Sequence, residues 1–186
     1  MLILAVCMIS ATPLTSCGDN EDTTAGTGEM TGSYTDMAIF CGDKKKNVDL
    51  TVTSDTIYVE DFPVEEIARK ITEHSFPGKT ASSVTQTTLA AGYTAASMGG
   101  NIAVALYPKP AGFAMTVDGV RQEVDVRFMQ ATDGAFWPDS RRIAFTIKTK
   151  EVRLNGTRVK ELGEITFVLN PASQHGTPGD GPANGK

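Results

Sequence analysis

Nucleophilic catalysis of the Ser-His-acid kind needs a base within hydrogen-bond reach of a nucleophile and an acid to orient that base. The 186 residues include two histidines. His175 lies in a C-terminal stretch rich in Gly and Pro, and His74 falls at the end of a predicted helix, just before Ser75-Phe76-Pro77-Gly78. A cation at a helix C-terminus interacts favourably with the dipole and the last carbonyls, so capping is the expected role of His74. The chain contains no Gly-x-Ser-x-Gly elbow, metal-protease helix, glycine-rich phosphate loop or Cys-x-x-Cys pair. Cys41, in Ile39-Phe40-Cys41-Gly42, adjoins Asp43 and Lys44-Lys45-Lys46. Nearby ammonium groups would lower its pKa toward thiolate. The simpler expectation is a small apolar residue at a strand end, with the lysines at a solvated hairpin tip that discourages edge pairing.

Carboxylates are plentiful, among them Asp61, Glu65, Glu66, Asp133 and Asp139. Glycoside hydrolysis requires two of them across a cleft, and no spacing in the sequence sets such a pair. The segment Asp133-Gly134-Ala135-Phe136-Trp137-Pro138-Asp139 reads as a loop carrying the chain's one Trp beside a Phe. Such a loop can stack on a sugar ring, or its aromatics can cap the open end of a core. It lacks the alternating ligand run of a calcium loop. Phe136, Trp137 and Tyr107 are therefore the candidate ligand-binding residues, and no catalytic residue, metal or cofactor is assigned. With 17 Lys and Arg against 22 Asp and Glu, the net charge is −5, which leaves little basis for nucleic-acid binding.

The elements that must position these residues are mostly of period two. Asn47 to Thr53 alternates, with Val48, Leu50 and Val52 on one face, and Ser54-Asp55 turns it into Thr56 to Glu60. Val120, Val124, Val126 and Phe128 share a face opposite Arg121, Glu123, Asp125 and Arg127. Asp118-Gly119 and Asn155-Gly156 are two-residue hairpin signals, because both residue types tolerate positive φ. Ile143, Phe145 and Ile147 define a further strand face, as do Ile165, Phe167 and Leu169. Val64, Ile67, Ala68 and Ile71 recur at helical spacing after Pro63, which predicts one short amphipathic helix plugging an end of the sheet assembly. Thr80 to Gly100, rich in Ala, Ser, Thr and Gly, has no firm period. The expectation is a single mainly β domain over 33–170, an antiparallel β-sandwich or a calycin-like barrel.

The two ends read as an address and a tail. Residues 1–16 carry no charge and contain the apolar run Leu2 to Ile9, too short to span a membrane and suited to a signal-peptide core. Leu14-Thr15-Ser16-Cys17 resembles the lipobox of bacterial lipoproteins. That resemblance implies cleavage before Cys17, acylation of its thiol and anchoring in the membrane. Residues 17–32 continue after Cys17 with Gly18-Asp19-Asn20-Glu21-Asp22 and form an acidic, Thr- and Gly-rich tether. The cluster is similar to the export signal of Bacteroidetes surface lipoproteins, which places an outer-membrane protein slightly more on the cell surface than on the periplasmic face. Asp22-Thr23-Thr24 is similar to the O-glycosylation sites of that phylum, with Thr23 as acceptor, and Asp55-Thr56-Ile57 matches too, although Thr56 is simply read as a strand entry. Residues 171–186 hold no large apolar residue and read as a disordered tail. The body's layout resembles the small calycin-like and β-sandwich lipoproteins of unknown function of gut Bacteroidetes. The expected function is a non-enzymatic binding or accessory module of the cell envelope, for a glycan, a small apolar ligand or an envelope protein. A carboxylate-dependent glycan hydrolase and a structural assembly protein stand as alternatives.

Overall fold

The computed structural model describes residues 27–160 and 162–171. Residues 1–26, which hold the expected signal peptide, Cys17 and Thr23, lie outside the described residues, as does the tail beyond Pro171. The elements in chain order are α1 (Thr27–Met30), β1 (Gly32–Cys41), β2 (Lys44–Val52), β3 (Thr56–Val59), α2 (Val64–Ser75), β4 (Ala81–Val84), β5 (Leu89–Met98) and β6 (Asn101–Pro108). They continue with β7 (Ala111–Val117), β8 (Val120–Phe128), β9 (Ala131–Trp137), a 3-10 turn (Pro138–Ser140), β10 (Arg142–Leu154), β11 (Thr157–Arg158) and β12 (Thr166–Pro171).

All pairings are antiparallel, and eight strands close on themselves in the order β12-β1-β2-β3-β5-β6-β9-β10, with β10 returning to β12. The molecule is thus a barrel, and the sandwich is not found. Closure rests on β12, which pairs with β1 through Met37↔Pro171 to Phe40↔Val168 and with β10 through Phe145↔Leu169 to Lys148↔Thr166. The 13-residue β10 outruns the barrel. Beyond Thr149 its register shifts, and Glu151 to Leu154 pair with β8, extending a second sheet through β7 to β4. At the fork, Ile165 N–H donates to Thr149 Oγ1 at 2.9 Å and Thr149 N–H donates to Ile165 O at 3.0 Å.

Inward positions follow the two-residue pleat. Leu50, Ile57, Leu89, Leu106, Phe136, Ile143 and Phe167 are among the side chains buried in the core. Eight strands enclose a space that side chains of this size fill. Helix α2 buries Val64, Ile67, Ala68, Ile71 and Thr72, the stripe its spacing predicts. It packs against β4 and β7 of the second sheet. Phe62, at its entry, joins the two sheets by lying 4.7 Å from Phe167 of the barrel and 5.8 Å from Phe128 of β8, centroid to centroid.

The body begins earlier than Ser33, where the tether was expected to end. Met30 is fully buried, and Tyr34 Oη donates to its carbonyl at 2.6 Å. Arg141, left-handed at φ 47°, stacks its guanidinium 5.5 Å from the Tyr34 ring and donates from Nη2 to Thr31 O at 3.3 Å. An aromatic face, a cation and a buried methionine together pin the segment before β1 onto the barrel. There are also more helical pieces than the one expected, namely α1 and the 3-10 turn.

Candidate functional site

The candidate aromatics all come from β6 and β9, neighbours in the barrel wall, and the pleat separates them. The segment expected as a loop is a strand, β9, and only its last part bends away, at Pro138–Ser140. Phe136 faces the interior at 0% exposure, pairs with Ile102 and Ile143, and meets Tyr34 edge-on at 6.4 Å. Its ring is enclosed by the core and does not reach the surface. Trp137, the next residue, faces outward and is half-buried, with Arg142 opposite and Asn101 one step beyond the Ile102↔Phe136 pair. Tyr107 is also outward, at 45% exposure. Six residues of β6 separate the Asn101 level from Tyr107, so the two rings stand about 20 Å apart along one outer face.

Between them the wall is smooth. Ala96, Ala103, Ala135 and Ala144 form one cross-strand row, from the pairs Ala96↔Ala103, Ala103↔Ala135 and Ala144↔Ala135. Thr94 pairs with Ala105 in the next row. The polar groups lie at the ends: Asn101 and Arg142 near Trp137, and near Tyr107 a shallow recess of about 150 Å³ lined by Gln130, Ala131, Thr132, Asp133, Thr146 and Lys148. The outer face of β5, β6, β9 and β10 is therefore a strip of mostly small residues with an aromatic ring toward each end and hydroxyl, amide, carboxylate and cationic groups beside them. Weakly amphipathic ligands with alternating C–H faces and hydroxyl edges match that distribution.

Sequence reasoning missed two contributors. Gly134 pairs with Val104, and a Cβ there would sit 2.7 Å from Val104 O and 3.1 Å from Val104 Cβ. The glycine falls in the segment expected as a loop, but it lets β6 and β9 approach closely beside a register shift. Tyr58 of β3, at 36% exposure, extends the aromatic character of the wall past β5. Its alternation within Thr56–Val59 places it outward and would have marked it.

The remaining chemistry-bearing residues take structural parts. Lys46 Nζ donates to Glu65 Oε1 at 2.9 Å and lies 3.0 Å from Asp61 Oδ1, an oxygen shut off from solvent. Burial is the largest single influence on Lys46 and pulls its pKa down, but the hydrogen bond to Glu65 and the two carboxylates together outweigh it and hold the ammonium above its ordinary value. Asp61 and Glu65 thus share one lysine, and both carboxylates are engaged in ion pairs instead of standing free on either side of a glycosidic bond. Glu66 pairs with Arg69 at 3.1 Å. The thiol of Cys41 is pushed up by burial first and by Glu66 second, with Lys70 and Arg69 pulling weakly the other way, so the lysine run does not activate it. His74 is exposed in the last turn of α2, while the helix end is capped by Phe76 N–H donating to Thr72 O at 2.9 Å. Among the described residues no group of three His, Cys, Asp or Glu could hold a metal ion, and no helix is long and apolar enough to cross a membrane.

Fold and face together define a class: a closed eight-stranded antiparallel barrel with a second sheet grown from one of its strands and an aromatic-bordered strip on its outer wall. The chain belongs to the family described as a domain of unknown function (DUF4840), whose model matches residues 27–154. That match ends with β10 and stops short of β12, the strand that closes the barrel. No curated protein and no solved structure matches the chain.

Proposed function

We propose that this protein is a non-enzymatic binding module of the cell envelope that holds a glycan along the outer wall of its barrel. The observation that carries the reading is the placement of Tyr107 and Trp137 on one outward face, about 20 Å apart with a floor of small residues between them. An exposed Tyr107 ring at one end of the strip and a half-buried Trp137 ring at the other leave apolar surface in water unless something covers it, and the C–H faces of pyranose rings are suited to do so. The buried side chains that fill the barrel favour a ligand outside it over an apolar one within. The lysine lodged between Asp61 and Glu65 argues for binding over hydrolysis.

The protein reaches the envelope through acylated Cys17, supported by the apolar run of residues 2–9 and the Leu14-Thr15-Ser16-Cys17 motif. More than one acyl chain anchors stably, at about 0.8 kcal/mol per buried CH₂. The acidic residues after Cys17 support an outer-membrane position displayed on the cell surface, with Thr23 as a glycan acceptor. A glycan array probed with the wild-type domain and with folded Tyr107→Ala and Trp137→Ala variants tests the binding reading: wild type binds at least one oligosaccharide and each variant binds it less. Wild-type binding that both variants retain removes the site. Globomycin or Cys17→Ala tests the anchor, and fractionation unchanged by either removes it.

A further inference from the structure

Gly92 sits in the middle of β5, where a glycine weakens a strand. Neither of the usual reasons for one applies. Its φ lies outside the left-handed region, and a Cβ would meet only Asp55 O at 3.8 Å and Tyr107 O at 4.0 Å, ordinary contacts. Gly134, by contrast, has Val104 O against the place of its missing Cβ. What remains for Gly92 is its outer side. It pairs with Tyr107 on β6, and two residues back along β5 Ala90 pairs with Tyr58 on β3. Tyr58 and Tyr107 therefore stand on either side of β5, two strand spacings or about 10 Å apart and offset by two residues. Both rings are exposed, and only Gly92 and Ala90 lie between them. Asp55 O borders the gap. It already accepts from Tyr93 N–H at 3.1 Å, and a carbonyl has a second lone pair for a hydroxyl donor.

We infer that Tyr58 and Tyr107 are the two arms of a sugar subsite floored by Gly92, which takes one pyranose ring at the end of a straight chain lying toward Trp137. This rests on the glycan reading above and deepens it, giving the ligand class as an extended oligosaccharide of flat-faced pyranose rings. The strip follows the paired, extended strands β6 and β9, which suits a chain that lies extended along them.

Titration calorimetry of the folded domain with cellohexaose, a straight chain, and maltohexaose, a coiling one, tests it. The variants are Tyr58→Ala, Gly92→Leu and Trp137→Ala. Since Gly92 has ordinary φ and a Cβ there makes only ordinary contacts, the Gly92→Leu variant is expected to fold, which circular dichroism verifies, while filling the floor of the subsite. The expected result is that cellohexaose binds more tightly than maltohexaose and that Tyr58→Ala and Gly92→Leu each weaken it about tenfold, the scale of one lost ring stack. If cellohexaose binding falls in Trp137→Ala but is unchanged in Tyr58→Ala and Gly92→Leu, the subsite is overturned and the wider glycan face stands. Maltohexaose bound as tightly as cellohexaose overturns the straight-chain assignment. If wild type binds neither sugar, the subsite is overturned, and the array then decides the wider reading.

Discussion

Replacing Gly134 by alanine places a methyl group 2.7 Å from Val104 O and 3.1 Å from Val104 Cβ, with Val104 C at 3.4 Å. Carbon-to-carbonyl contacts in sheets close to about 3.3 Å, so the oxygen is about 0.6 Å too near. The obstructing oxygen belongs to the backbone and cannot rotate aside, which means β6 and β9 must part at their register shift. Overpacking of this kind costs about 2–3 kcal/mol, and the loss of glycine's unfolded-state entropy returns about 0.5–1 kcal/mol, leaving a net destabilisation of about 1–2.5 kcal/mol. For a domain of this size that is a fall of about 3–8 °C in Tm. Urea denaturation should show the midpoint lowered with an unchanged slope. Gly92→Ala is the matched control. It too lies in a barrel strand, but its new Cβ finds nothing nearer than 3.8 Å, so it should be neutral or stabilising by up to about 1 kcal/mol. Gly134→Ala as stable as wild type would refute the close-approach argument, and so would two glycine variants that behave alike.

Three further outcomes follow from the same geometry. Phe136→Ala should lose about 3–5 kcal/mol because it empties a fully enclosed site, whereas Trp137→Ala, one residue on and facing outward, should lose under about 1 kcal/mol; equal losses in thermal melts would contradict the assigned facing. Lys46→Met should cost about 1 kcal/mol near neutral pH, a modest figure because its partners are partly exposed. Since the folded-state pKa of Lys46 is raised above 10.5, its contribution is fully present below that value and fades as pH rises through the folded pKa, so the gap between variant and wild type in urea midpoint should narrow in strong alkali, and a constant gap would count against the ion pair. Cys41, its thiol pushed up by burial, should alkylate with iodoacetamide more slowly at neutral pH than free cysteine, and faster labelling would mean an activated thiolate.

Local order is written plainly in this chain. Asp118-Gly119 and Asn155-Gly156 take positive φ at both residues, at 51° and 76° and at 50° and 79°, as two-residue hairpins require. Helix α2 buries the residues its spacing marks. In β8 the alternation holds for Val124, Val126 and Phe128 but not for Val120, which lies exposed past the covered end, while the intervening Gln122 is buried and accepts from Asn155 Nδ2 at 2.7 Å. Strand β5 escapes notice because its inward Leu89, Ala91, Tyr93 and Ala95 alternate with Ala90, Gly92 and Thr94, small residues that give almost no polar contrast. Barrel closure is not visible locally, since β12 meets β1 from more than a hundred residues away and periodicity carries no information about distant register. The aromatic candidates were legible as types but not as a site: Asp133 to Asp139 reads as a loop, and only a strand there sends Phe136 inward and Trp137 out to the face that Tyr107 shares.

Trp137 is the chain's one tryptophan, so its emission reports on the proposed face without labelling. The most direct measurement is a fluorescence titration of the folded domain with an oligosaccharide that binds on the array. The outer-face account predicts a saturable change in Trp137 emission that reaches half-completion at the calorimetric Kd. A glycan that binds at that Kd and leaves the emission unchanged would contradict it.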